Sequence, residues 1–140
     1  RTSWLYSSFG NNFVKTMIKL GKERESLTVI FDQIGSPTYA ADLAVAIMSI
    51  IDSKKISAGI YHFSNEGVCS WYDFAVAIHQ HSKTNHCQVI PIESKDFPTK
   101  AHRPHYSVLN KAKIKDTYQV KIAHWEDGLK RCIEKLNITD

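Results

Sequence analysis

The hydrophobic positions of this chain switch repeatedly between two periods. Residues 2–5 read as a strand. The polar run Ser7, Ser8, Gly10, Asn11 and Asn12 ends it. Residues 12–21 then take up a helical spacing, with Phe13, Met17 and Leu20 on one face and Lys15, Lys19 and Lys22 on the other. Residues 27–31, Leu-Thr-Val-Ile-Phe, are rich in β-formers and predict a second strand. Residues 39–52 predict a helix that is apolar nearly all round, with only Asp42, Ser49 and Asp52 as a polar edge. Such a helix is expected to be buried on several sides, at the centre of the domain.

The second half repeats the alternation. Residues 59–63 read as a strand, and Ser64-Asn65-Glu66-Gly67 as a turn by composition. Ser70 is placed to cap a helix that carries Trp71, Phe74, Ala75 and Ile78 at i, i+3, i+4 and i+7. Residues 88–92 predict a short strand limited by Pro91. A long irregular stretch, 93–109, contains Pro98 and Pro104. A short basic helix is expected over 110–116. A last helix over 124–136 carries Trp125, Leu129, Cys132, Ile133 and Leu136 at core spacing. Strand–helix–strand separations too long for hairpins predict a mainly parallel sheet containing 2–5 and 27–31.

Composition narrows the class without naming a function. The chain has 140 residues, 43% hydrophobic and 23% charged, which suits one globular domain with a real core. A net charge of +4, with both signs interleaved, is too mild to argue for nucleic acid. The longest apolar stretch, 43–51, is interrupted by Ser49 and is too short to span a bilayer. Cys69, Cys87 and Cys132 are odd in number and widely spaced, which reads as reduced thiols in a cytoplasmic protein. Asn137-Ile138-Thr139 matches a glycosylation sequon and carries no weight without a secretory signal.

Two loops hold more polar and special residues than connectors need. In residues 31–44, Asp32 and Gln33 leave a strand end close to a helix start, a natural place for phosphates or hydroxyls. Gly35 permits an unusual backbone angle and Pro37 stiffens the helix entry. A plain strand–helix connection explains the same residues. In residues 101–110, Arg103 precedes Pro104 and is biased to an extended conformation. Held there, its planar fork suits a phosphate. A surface arginine at a proline turn is the bland alternative. Trp4 is equally open between stacking on a base or sugar and filling the core. Trp71 and Trp125 lie at core spacing and read as packing residues. His79 and His81, two apart on a helix, cannot share a metal. There is no Cys-x-x-Cys, Gly-x-Ser-x-Gly or Walker loop.

The motifs also form an ordered set. Arg1-Thr2-Ser3-Trp4-Leu5-Tyr6 is followed by Asn12-Phe13, by Asp32-Gln33-x-Gly35-x-Pro37-Thr38, and by Asp42-Leu43-Ala44. Arg103-Pro104-x-x-Ser107-x-Leu109 and Trp125-x-x-Gly128-Leu129 complete it. In this order they resemble the C-terminal half of dTDP-4-dehydrorhamnose reductases, in the extended short-chain dehydrogenase/reductase superfamily. The resemblance implies an α/β fold: the C-terminal part of a Rossmann-like NAD(P)-binding fold with a small mixed α/β substrate-binding domain. It further implies that residues 1–140 are a single truncated unit whose N-terminal Rossmann portion lies before Arg1. Trp4 would contact the sugar, Asp32, Gln33 and Gly35 would shape the pocket, and Arg103 would meet the nucleotide phosphates.

The intact relatives reduce dTDP-4-keto-L-rhamnose to dTDP-L-rhamnose with hydride from NADPH (or NADH), a tyrosine donating the proton with help from a lysine. The six glycines here make no Gly-x-x-Gly-x-x-Gly, and no tyrosine has a lysine four residues on. The isolated chain is therefore expected to be inactive, to bind no cofactor tightly, and to hold no metal. Expected partners are a dTDP-sugar, the N-terminal half and possible homodimer copies, with neither nucleic acid nor membrane among them. Two alternatives stay open: a non-catalytic subunit of the same fold, as in the β subunit of methionine adenosyltransferase, or another nucleotide-sugar reductase or epimerase.

Overall fold

The computed structural model describes residues 1–84, 86–97, 99, 101 and 103–137. Pro98, and Ile138 and Thr139 of the sequon, lie outside the described residues. In chain order the elements are β1 (Leu5–Tyr6), α1 (Phe13–Glu23), β2 (Ser26–Ile30), β3 (Ile34–Gly35), β4 (Thr38–Tyr39) and α2 (Ala40–Asp52). β5 (Cys69–Ser70), α3 (Trp71–Ser82), β6 (Gln88–Ile92), a 3-10 turn (Ser94–Asp96), α4 (Ala112–Tyr118) and α5 (Trp125–Asn137) follow. The architecture is mixed α/β, as expected.

Local chemistry sets the helix ends. Asn12 caps α1 by accepting from the Lys15 amide at 3.3 Å. Ser70 and Asp73 form a reciprocal capping box on α3, at 3.0 and 2.9 Å. The apolar stripes of α1, α3 and α5 then meet over β2 and the two tyrosines Tyr6 and Tyr39. Val14, Phe74, Ile78, Leu129 and Cys132 are all but fully buried there. A smaller cluster of Ala46, Phe63, Ile114 and Val120 joins α2 to α4. The three cysteines are buried free thiols.

The single parallel sheet expected of residues 2–5 and 27–31 is replaced, among the described residues, by three separate pairs. β1 runs parallel to β4, β2 parallel to β6 over five residues each, and β3 antiparallel to β5. β1 is confined to Leu5–Tyr6 because Trp4 takes left-handed backbone, φ 48°. Residues 59–63 do not form a strand. Of these five, only Tyr61 and Phe63 find backbone partners among the described residues, both on Arg1, at 2.7 and 2.9 Å. The short strand expected over 88–92 is β6, with Pro91 opposite Val29 within its register.

The residues read as a simple turn are a buried strut. Asn65, fully buried, accepts from the Tyr39 amide at 2.8 Å and donates to Asp42 at 2.6 Å and to the Ala123 carbonyl at 3.2 Å. Arg131 grips the same Asp42 with both guanidinium nitrogens, at 2.6 and 2.7 Å. This network locks the start of α2 to α5.

The expectation that α2 is buried on several sides fails. Of its residues only Ala46 is buried, while Val45, Met48 and Ile51 are 68%, 54% and 62% exposed. The helix is apolar on a face that nothing among the described residues covers. A contiguous apolar stripe of this kind drives association in water. Sedimentation equilibrium of the 140-residue chain is expected to show a mass that rises with concentration. The double substitution Val45→Lys, Met48→Glu is expected to restore the monomer mass without lowering the melting temperature. A wild-type mass that stays monomeric at every concentration contradicts this.

Candidate functional site

Residues 32–39 are hydrogen-bonded along their length to three other parts of the chain. Ile34 pairs with Ser70 in β5, and on its other side its amide donates to the His105 carbonyl at 2.7 Å. The Ile34 carbonyl accepts from the Ser107 amide at 2.9 Å and from its hydroxyl at 3.2 Å. The Thr38 amide donates to the Trp4 carbonyl at 3.1 Å. The two polar loops singled out in the sequence are therefore joined, and with them comes the Trp4 segment.

Asp32 makes the second clasp. Its Oδ1 accepts from the Ser94 amide at 2.9 Å and from the Ser94 hydroxyl at 2.7 Å. His105 lies on its other side, Nδ1 2.8 Å from the Asp32 carbonyl and 3.5 Å from Oδ2. The Ser94 hydroxyl holds the carboxyl below its ordinary pKa. Asp32 thus ties both ends of the 93–107 stretch to one point. It lines neither cavity described below.

Two adjoining cavities of about 470 and 230 Å³ open along this seam, and both are lined by Gln33, Trp71 and Arg103. The larger runs between α1 and β2, over Phe13, Met17 and Leu27, and carries Arg24 as well. The smaller is walled by Trp4 and closed by Ser107. Phe97 and Thr99 complete the larger rim. The joint space has apolar and aromatic walls, two arginines and a few hydroxyls. It suits an amphipathic anion with an aromatic part and a polar part.

The predicted residues divide accordingly. Arg103 is exposed, lines both cavities, and makes no hydrogen bond or ion pair with any described residue. His105 and Ser107 brace its loop instead. Gln33 is buried at the junction, its Nε2 donating to Ser94 Oγ at 2.9 Å. Trp4 lines the smaller cavity, but one face of its indole is stacked on Trp71 at 3.6 Å. Gly35 lies behind Trp4 and lines neither cavity. Trp71, read from spacing as a packing residue, both packs and lines the site. Ser94, Arg24 and His105 escaped sequence reasoning, because nothing in their spacing sets them apart from solvated polar residues. His79 and His81 point apart, to the Met17 carbonyl and to Glu126. Among the described residues no cluster of His, Cys, Asp and Glu could hold a metal.

Gly35 is required by contact. A Cβ on it would stand 2.5 Å from the Trp4 ring, and Trp71 blocks the ring's retreat. Gly35→Ala is expected to cost about 1–3 kcal/mol, as overpacking does, and to disturb the stacked indoles. A chemical melt followed by tryptophan fluorescence reads both effects. An unchanged midpoint and spectrum would show that Trp4 is not pinned.

Known proteins match this chain closely. A family profile described as the RmlD substrate binding domain matches residues 1–138. The spore coat polysaccharide biosynthesis protein SpsK of Bacillus subtilis is 40% identical over 135 residues, covering 96% of this chain and 46% of that protein. A crystal structure of a dTDP-4-dehydrorhamnose reductase from Clostridium acetobutylicum superposes with a TM-score of 0.90 at 42% identity, covering 98% of this chain and 48% of that one. That of the Bacillus anthracis reductase, in complex with NADP, gives 0.88 at 45% identity, with 96% and 46% covered. The chain spans about half the length of the relatives it matches. With the match running over nearly every residue, the chain belongs to the RmlD substrate-binding domain family.

Proposed function

We propose that this chain is the nucleotide-sugar-binding, C-terminal half of a dTDP-4-dehydrorhamnose reductase. In the intact enzyme it would hold dTDP-4-keto-L-rhamnose while NADPH supplies the hydride that makes dTDP-L-rhamnose, a unit of surface polysaccharide. The observation that carries this reading is Arg103. Its guanidinium has no hydrogen-bond or ion-pair partner among the described residues and lies at the junction of an apolar trough and an indole-walled pocket. That is the order of chemistry in a nucleoside diphosphate sugar: a flat base, two phosphates, a hydroxylated ring. The Trp4 wall offers the sugar a flat apolar surface, and Arg103 offers the diphosphate a two-pronged donor.

The residues present do not fit a dinucleotide. β4 and β5 pass into α2 and α3 with no intervening residue, and the β1–α1 turn carries Gly10 alone. A pyrophosphate cradle needs several glycines at such a turn. No hydride or proton transfer is therefore assigned to this chain. The uncovered face of α2 supports a Rossmann half of the same enzyme as its partner. The relatives are about twice as long, and an apolar helix side beside a parallel strand pair is what such a half would bury.

Arg103→Ala is expected to weaken dTDP binding by about ten- to a hundredfold, the worth of a charge-assisted hydrogen bond of about 1.5–3 kcal/mol. The melting temperature should hold, because His105 and Ser107 carry the loop. Arg103→Lys should recover only part of the loss. Calorimetry beside a melting curve checks it: unchanged affinity with a lowered melting temperature would make Arg103 a loop brace and overturn the assignment.

A further inference from the structure

Gln33 sits where the two cavities meet, and its amide has a fixed sense. We infer that Asp32, Ser94 and Gln33 form a directional relay that turns the Gln33 carbonyl, Oε1, toward the bound nucleotide sugar, so that the site selects a ligand group that donates a hydrogen bond. Ser94 is then a positioning residue, and the donor is either the ring imide N–H of a thymine-type base or a hydroxyl of the sugar. The inference rests on the nucleotide-sugar reading above.

The sense of the relay follows from donor and acceptor counts. An ionised carboxylate only accepts. The Ser94 hydroxyl, 2.7 Å from Asp32 Oδ1, must therefore give its one proton to Asp32. The Ser94 amide, 2.9 Å from the same oxygen, fixes the serine in place. What remains on Ser94 Oγ is lone-pair density, and it faces the Gln33 amide at 2.9 Å. Only the NH2 end of that amide can meet it, which settles the orientation that amides otherwise leave ambiguous. Gln33 is 6% exposed, so its side chain has little room to turn.

Gln33 Oε1 meets no protein donor among the described residues, although Gln33 lines both cavities. An acceptor in so enclosed a place is met by a ligand or by water. A base or sugar group that offers only a lone pair there would face a like partner. Discrimination thus comes from an acceptor whose direction is imposed two residues away from the ligand.

The test uses the 140-residue chain, three ligands and three variants. Calorimetry measures dTDP, N3-methyl-dTDP and dTDP-L-rhamnose against wild type, Ser94→Ala, Ser94→Thr and Gln33→Met, with a melting curve for each. If the donor is the base, N3-methylation weakens wild-type binding about tenfold. Ser94→Ala and Gln33→Met then lose a similar factor for dTDP and become indifferent to the methyl group. If the donor is a sugar hydroxyl, the methyl group has no effect on wild type, and both variants lose about tenfold for dTDP-L-rhamnose alone. Ser94→Thr keeps the hydroxyl and binds as wild type in either case. Should Ser94→Ala unfold, Gln33→Met reads the same discrimination. Wild-type affinities in both Ser94→Ala and Gln33→Met overturn the relay and leave the nucleotide reading standing. A folded wild type that binds none of the three ligands overturns both.

Discussion

The site depends on one segment being hydrogen-bonded on both flanks. Residues 32–39 do not form one continuous strand: they hold only the two-residue strands β3 and β4, interrupted at Ser36-Pro37. They hold their shape because Ile34 pairs with Ser70 on one side and with His105 and Ser107 on the other. Thr38 reaches back to Trp4, and Tyr39 is caught by Asn65. Buried backbone polar groups must be paired, so each of these contacts also fixes the position of the partner chain segment. Remove the segment and the Trp4 wall, the Arg103 loop and the start of α2 have no common frame. Function is carried on loops, but on loops whose backbone groups are spoken for.

A second constraint acts from outside this frame. The stripe Val45, Met48 and Ile51 on α2 is as apolar as a core helix and is left in water. Helix patterning reports what a helix is selected to bury, whether or not the covering surface belongs to the same 140 residues. The paired strands β1 and β4 and the loose backbone at 61–63 tell the same story. Their hydrogen-bonding edges are short because partners are few, not because the residues are poor β-formers.

Much of this was legible in the sequence. The four longer helices follow their apolar spacing to within a few residues, and the Ser70 cap stands where its side chain predicts. The pairing of the two polar loops was legible only through the ordered motifs, since neither Asp32-Gln33 nor Arg103-Pro104 points to the other by spacing. Three things were hidden. Ser64-Asn65 has turn composition, yet the low-entropy amide of Asn65 is used as a buried three-way strut. Residues 59–63 have strand composition and lack a ladder, because strands are defined by neighbours. Ser94 looks like any loop serine; only its distance to Asp32 gives it a role.

The central claim is that a nucleoside diphosphate settles into the seam between residues 32–39 and 93–107. Hydrogen exchange on the chain with and without saturating dTDP tests it most directly. The amides of Ile34, Ser94 and Ser107 bond across this seam, so a ligand bridging Gln33 and Arg103 slows their exchange while the α2 amides stay as they were. Unchanged exchange at the seam, with protection appearing on α2 instead, would contradict it.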